Sequence, residues 1–387
     1  MDSPLSTSHY ISDEIHRKEQ SRLFRKLWIF AGLKQLVSKP NAFITRSIGG
    51  IPVVIQNMNG TLKAFENVCP HRQMSLQSDA VGHRPLVCKY HAWAFDENGK
   101  LRAKGNEFLY ELTEEETSRA CLRQFVLAEV GNMLFVNLDE TPMPLEEQFT
   151  NEFLDSMREV SGHFDDEVIY TVFEKKHNWK LTFENVLDYN HIPFIHTQSF
   201  LPLIELNVNA SKEDRVIPQA SRDLKQRLYD GQKIDLRDLS FETGSTLNIP
   251  TTWYQAEVHR YRDEPRYYNW YTYPNVNFCS VHGNMFLIQQ YMPVSPGVME
   301  YHLWVMTARR KNPKINFSAL LWGLIKAEKK VIDEDAVALE QLQRTLHDGA
   351  RPYLMGTYEA HIVRMLRWYA DFMSDDKTTA SKVKARA

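Results

Sequence analysis

Residues 184–196 read Glu184-Asn185-Val186-Leu187-Asp188-Tyr189-Asn190-His191-Ile192-Pro193-Phe194-Ile195-His196. The spacing predicts a helix from Trp179 that runs up to, or breaks at, Pro193, because proline removes a backbone donor and clashes with the preceding turn. Asp188 and His191 are three apart and share one helix face. His196 would point elsewhere on a regular helix, and a break lets it swing back toward His191. Two imidazoles and a carboxylate with open positions form the facial arrangement that holds Fe(II) for O2 chemistry. A buried polar helix face is the bland alternative. An Asp, two His and a proline break in thirteen residues weigh against it.

A second constellation lies about a hundred residues earlier: Cys69-Pro70-His71-Arg72 and Cys88-Lys89-Tyr90-His91. Two Cys and two His suit Zn2+ or an iron–sulfur centre equally by softness. Ordinary zinc fingers keep the cysteines in one pair and the histidines in the other. Here each loop offers one of each, which suits a [2Fe–2S] cluster with two thiolates on one iron and two imidazoles on the other. A structural zinc site stays open as the alternative. His83, between the loops, has no partner at ligand spacing and reads as a loop histidine.

Around these motifs the pattern divides the chain in three. Residues 9–30 read as an amphipathic helix within an N-terminal segment, 1–39, that packs on the catalytic part. From 40 to 141 the period becomes that of strands: 43–48, 51–56 and 61–65, joined at Gly49-Gly50 and Asn59-Gly60, a strand over 86–88, and a hairpin about Gly131-Asn132. Pro142 and Pro144 mark a linker. Residues 142–387 mix a short helix (145–161), strands (167–174, 267–273, 285–291, 301–306), a helix of about thirty residues after Asn312, and a last one over 357–373. Blocks of strands and helices mean α+β: a small all-β domain near the N-terminus of a larger α+β domain with an antiparallel sheet.

The 387 residues are 43% hydrophobic and 25% charged, with net charge −3. No basic block marks a nucleic-acid footprint. The apolar run 319–325 is too short to span a bilayer. The N-terminus lacks the basic and apolar regions of a secretory signal. Four cysteines are no disulfide framework, and a reducing, cytoplasmic setting suits thiolates kept for metal.

The loops Cys-Pro-His-Arg and Cys-Lys-Tyr-His-Ala-Trp, with Phe95 and Gly99 following, resemble the Rieske iron–sulfur motif. Gln73 and Ala92 stand where that motif often has glycine. The run Asn178-Trp-Lys-Leu-Thr-Phe-Glu184-Asn185-Val-Leu-Asp188, with His191 and His196, resembles the catalytic domain of the Rieske non-haem iron oxygenases, the large α subunit of ring-hydroxylating dioxygenases and monooxygenases. Many members have Tyr just before the first His, where this chain has Asn190 preceded by Tyr189. The resemblance implies a Rieske [2Fe–2S] cluster on Cys69, His71, Cys88 and His91, and mononuclear Fe(II) on His191, His196 and a distant carboxylate. The segment Val331-Ile-Asp-Glu-Asp-Ala is similar to the family's late Glu-Asp segment and assigns that carboxylate to Asp335, with Asp333 the alternative. Asp188 takes the role of bridge to a cluster histidine, His91, of a neighbouring subunit in a head-to-tail homotrimer.

The chain has no Gly-x-Gly-x-x-Gly after a strand, so electrons are expected from a separate NAD(P)H-dependent reductase, with or without a ferredoxin. The function implied is the terminal oxygenase of a multi-component system acting on O2 and a small aromatic substrate. Alternatives are N- or O-demethylation, a quaternary-ammonium monooxygenase, and, in another class, a Rieske electron carrier without oxygenase activity. Tyr254, Tyr267, Tyr268, Trp270 and Tyr273 are candidates for a stacking or cation–π pocket. Arg260, Arg266 and His282 are candidates to hold a carboxylate. Packing and surface placement are the bland alternatives. Whether a β subunit accompanies the chain is open.

Overall fold

The computed structural model describes residues 1–199, 219–246, 252–264, 266–347 and 353–374. Its strands are β1 Ile29–Leu33, β2 Ala42–Ile48, β3 Ile51–Met58, β4 Thr61–Glu66, β5 Val81–His83, β6 Ala94–Phe95, β7 Leu101–Ala103, β8 Gln124–Val130, β9 Met133–Asn137, β10 Ile169–Lys175, β11 Phe241–Thr246, β12 Arg266–Thr272, β13 Val276–Val281, β14 Met285–Ser295 and β15 Val298–Thr307. Two antiparallel sheets dominate. The first has the order β1-β9-β8-β4-β3-β2-β5 and the second β10-β15-β14-β13-β12-β11, while β6 and β7 form a small ribbon. The α+β reading holds, with an all-β part ahead of an antiparallel sheet and its helices.

The turn signals act where the spacing placed them. Asn59 and Gly60 both take positive φ (54° and 102°) between β3 and β4, the geometry whose twist matches a hairpin. Two local readings are corrected. The helix expected over 9–30 is broken into Ser8–Ile11, Asp13–Lys18 and a π-helical turn, Glu19–Phe24. Ile29 then opens β1, every residue of which is buried against β9. Long-range pairing overrides the helical period there, as it does wherever packing outweighs local propensity. The strand expected over 86–88 is loop, with a lone bridge from Val87 to Ala94. The edge strand β5, β11 and β13 were not foreseen; His83 lies at the end of β5 and is exposed.

The sheets meet through β1. Gln290 Nε2 donates to the Phe30 carbonyl at 2.6 Å, and the Phe30 ring sits edge-on to Trp304 at 5.2 Å. The N-terminal turns dock on the catalytic helix Trp179–Leu187 through a buried ion pair, Lys180 Nζ to Glu19 at 2.5 Å. Trp179 Nε1 and the Tyr369 hydroxyl also donate to Glu19. Removing either partner of that pair would strand a buried charge.

Candidate metal centres

The two Cys/His loops are copies of one another. In each, the cysteine N–H donates five residues ahead (Cys69 to Met74, 2.8 Å; Cys88 to Trp93, 2.8 Å). Its carbonyl accepts from four residues ahead (from Gln73, 2.9 Å; from Ala92, 3.0 Å). Closing that turn needs a left-handed residue, and Gln73 (φ 59°) and Ala92 (φ 53°) supply it without being glycine. That is the physical reason a glycine suits these two positions.

Cys69 and Cys88 are buried among Phe65, Leu76, Trp93 and Phe95. The rings of His71 and His91 lie 4.5 Å apart, and His71 stacks on Trp93 at 4.7 Å. Burial pushes the Cys69 thiol up to about 11, with the neighbouring Cys88 adding to it. Such a site holds thiolates only when a metal compensates the charge. The buried Nδ1 of His91 has no hydrogen-bond partner. Only one group of three or more ligand atoms among the described residues closes to within 4.8 Å, and it lies elsewhere. The donors pair by type, with Cys69 beside Cys88 and the His71 ring beside that of His91. Two thiolates and two imidazoles suit a two-iron cluster.

The group that does close is His191, His196 and Asp335. The helix Trp179–Leu187 ends at Asp188, not at Pro193. The Asp188 Oδ1 accepts the Asn190 N–H at 2.7 Å, a local side-chain bond that competes with the helix. Pro193 instead sits in the first turn of a short helix, Ile192–Ile195, where its missing N–H costs nothing. This break turns His196 back. His191 Nε2 and His196 Nε2 are 3.2 Å apart. Asp335 Oδ1 lies 3.5 Å from the first and 3.2 Å from the second. Asp335 Oδ1 is buried and accepts no hydrogen bond. Three donor atoms packed this closely, one of them orphaned, fit a small cation at their centre.

Asp333 is turned away, bonded to Lys175 (2.8 Å) and Lys329. Behind the triad, Asp188 Oδ2 stands 3.9 Å from His191 Nδ1. Glu334 Oε2, which sequence reasoning passed over, is 3.0 Å from His196 Nδ1 and also takes the Ser199 hydroxyl. Carboxylates behind metal-binding histidines fix ring orientation and basicity. Burial lowers the His191 pKa. For His196 burial also acts downward, but Asp335 and Glu334 outweigh it and the pKa rises.

The aromatic candidates split by strand register. Tyr268 and Trp270 face away from the triad: Trp270 stacks on Phe278 at 4.5 Å and donates to Ser156. Tyr273 packs on Trp368 and Tyr254 on Phe317. Arg260 and Arg266 are exposed, and His282 is buried. Of the five rings, Tyr267 alone lies on the sheet face that looks toward the long helix Ser318–Thr345.

The family described as "Ring hydroxylating alpha subunit (catalytic domain)" matches residues 165–375, and the "Rieske [2Fe-2S] domain" matches 28–107. The chain belongs to the ring-hydroxylating α-subunit family, the Rieske oxygenases. Its cofactors are a Rieske [2Fe–2S] cluster and a mononuclear iron. It is 30% identical over 187 residues (47% of this chain, 49% of the relative) to the carnitine monooxygenase oxygenase subunit of Acinetobacter baumannii. It is 27% identical over 244 residues (60% and 54%) to the glycine betaine monooxygenase oxygenase subunit of Pseudomonas aeruginosa. The large oxygenase component of the Pseudomonas putida naphthalene 1,2-dioxygenase system is 29% identical over 208 residues (51% and 46%). The chain spans about half the length of each of these relatives. Among solved structures, a quaternary ammonium Rieske monooxygenase with a bound inhibitor superposes at a TM-score of 0.71 with 20% identity, covering 96% of both chains. Naphthalene 1,2-dioxygenase from Rhodococcus sp. gives 0.67 at 15% identity over 96% of this chain and 95% of the other. These likenesses establish the shared fold.

Proposed function

We propose that the chain is the terminal oxygenase of a multi-component system, taking electrons from a separate NAD(P)H-dependent reductase, with or without a ferredoxin, and placing oxygen from O2 into a small organic substrate. The observation that carries this is the closure of His191, His196 and Asp335 around one point, in a chain that also has paired Cys/His loops. A plain electron carrier has no use for the first site. When bound, the iron supplies O2 activation and the cluster supplies electrons one at a time. His191, His196 and Asp335 hold the iron; Cys69, His71, Cys88 and His91 hold the cluster. Glu334 orients His196, and Asp188 orients His191 while bridging to His91 of a neighbouring copy.

A head-to-tail homotrimer is supported by an apolar rim at each centre. Tyr90 packs on His91 and is 54% exposed. Phe108 and Leu109 are exposed just before Tyr110, whose ring meets His71 at 5.4 Å. Tyr189 and Phe194 are exposed beside the triad. Joining the two rims would bury both. We divide the chain into 1–39, 40–141 and 142–387, with β1 carried by the N-terminal segment into the first sheet. A cytoplasmic location is supported by cysteines that form no disulfide with one another. Among the described residues no helix is long and apolar enough to cross a membrane.

Relatives named for aromatic and for quaternary ammonium substrates both match, so aromatic hydroxylation and oxidation of an ammonium compound are the two substrate readings. Iron and acid-labile sulfide on anaerobically purified protein test the proposal. About three iron and two sulfide per chain, with reductase-dependent O2 uptake, are expected. Two iron and two sulfide, with no restorable third iron, would leave an electron carrier.

A further inference from the structure

The helix-facing side of the second sheet is polar where a packed core would be apolar. Register aligns Tyr271, Asn277 and Gln289 in one row and Asn269, Cys279 and Leu287 in the next. Asn277 and Gln289 are only 5% and 7% exposed. The side-chain oxygens of Asn269 and Asn277 are buried and accept no hydrogen bond. Unpaired polar atoms in a protein interior are costly and call for a partner.

Gln289 is held at both ends. Its Oε1 accepts the Tyr291 hydroxyl at 3.0 Å, and its Nε2 donates to Glu328 Oε1 at 2.7 Å. Glu328 lies on the long helix seven residues before Asp335, two turns away on the same face. Through Gln289 its carboxyl is tied to the sheet face that carries Asn277, Cys279 and Tyr267, and it lies close enough to Asp335 and His196 to feel their charge. Burial pushes it up to about 7, and the nearby Asp335 adds to this. No lysine or arginine among the described residues pairs with it. The neighbouring Lys329 and Lys330 are engaged by Asp333 and the Gln198 carbonyl. A half-buried carboxylate whose one protein partner is the Gln289 amide, with no lysine or arginine beside it among the described residues, is left without a counter-charge of its own.

We propose that Glu328 anchors a positively charged group of the substrate, so that the substrate class is a small organic ammonium compound. Tyr267 lies on the same sheet face by register, and an aromatic ring there adds to the attraction for a cation. The free oxygens of Asn269 and Asn277 accept from a hydroxyl or N–H elsewhere on the molecule. This deepens, and rests on, the oxygenase reading, selecting the ammonium substrate over the neutral aromatic one. Glu328 binds neither ring nitrogen of His191 or His196, so its work is recognition rather than support of the metal.

The test uses the iron- and sulfide-replete enzyme, anaerobic and without reductase, so that binding is read without turnover. Isothermal titration compares choline and tetramethylammonium with 3,3-dimethylbutan-1-ol, the neutral carbon isostere of choline, on wild type and Glu328→Gln. Wild type should bind choline roughly tenfold or more tightly than the isostere. Glu328→Gln should remove that preference, weakening choline by roughly tenfold while leaving the isostere within about twofold. Equal binding of choline and isostere by wild type overturns the assignment. So do failure of both ammonium probes to bind, equal weakening of cation and isostere in the variant, and loss of iron from the variant. Reductase-dependent O2 uptake separates the two proposals. Cation binding without uptake refutes the oxygenase reading alone, and uptake without cation preference refutes the cation site alone.

Discussion

Replacing Gln73 and Ala92 by glycine should stabilise the cluster loops. Both residues hold left-handed backbone, at φ 59° and 53°, and both side chains are exposed, so glycine forfeits no packing. The left-handed region costs an ordinary L residue roughly 1–2 kcal/mol. Glycine returns roughly 0.5–1 kcal/mol of that as extra freedom of the unfolded chain. The net gain is about 0.5–1 kcal/mol per site, a factor of about two to five in the equilibrium for opening a loop. The assay follows loss of the cluster's visible absorbance in urea for the holoenzyme, with iron and sulfide measured at the start. Each single variant should lose its chromophore about two to five times more slowly than wild type. Lys89→Gly is the control: Lys89 is exposed in the same loop without positive φ, so its glycine should hasten the loss. If Gln73→Gly and Ala92→Gly both behave like that control, the strain argument fails.

Asp335→Ala should lower iron from about three to about two per chain with sulfide unchanged, and Asp333→Ala should keep all three; the reverse pattern would reassign the ligand. Asp188→Asn should retain both metals and lose roughly 10- to 100-fold in turnover, and a metal-replete variant of full activity would remove the proposed bridge. Glu334→Gln should weaken iron retention against a chelator by roughly 10- to 100-fold, which competition with graded chelator measures directly. Glu184 gives a pH signature. Burial raises its carboxyl to about 7 against the opposing Tyr10 and Tyr353 hydrogen bonds, above an unfolded value of 4.5. Between those values the folded state keeps a proton the unfolded chain has lost, so its contribution to stability falls as pH rises through the window and levels off above it. Glu184→Gln should therefore gain on wild type in denaturant midpoint from about pH 5 to about pH 7; a pH-independent difference would contradict this.

What the sequence determined by itself was chemistry carried by residue type and short spacing. Cys69, His71, Cys88 and His91 are legible because each pair sits on one turn. Asp188, His191 and His196 are legible because a carboxylate and two imidazoles crowd into thirteen residues around a proline. Asn59-Gly60 is legible because only certain residues tolerate its backbone. Each of these signals is local, and local sterics do not wait for the fold. What only the tertiary structure decided depended on partners far away in the chain. Ile29–Leu33 is a strand because β9 lies beside it, although the helical period of the preceding residues runs on into Ile29 and Phe30. The helix after Trp179 stops at Asp188 because a side-chain bond there competes with the next turn. That Asp335 stands beside both histidines while Asp333, the alternative in the sequence, is claimed by Lys175 and Lys329 is a fact of packing. Glu334 and Glu328 became visible when the long helix was laid against the sheet: one turned to His196, the other, two turns from Asp335, to Gln289. A helix presents every face in its sequence alike. Which face meets the iron, which the substrate and which the solvent is set by what packs against it.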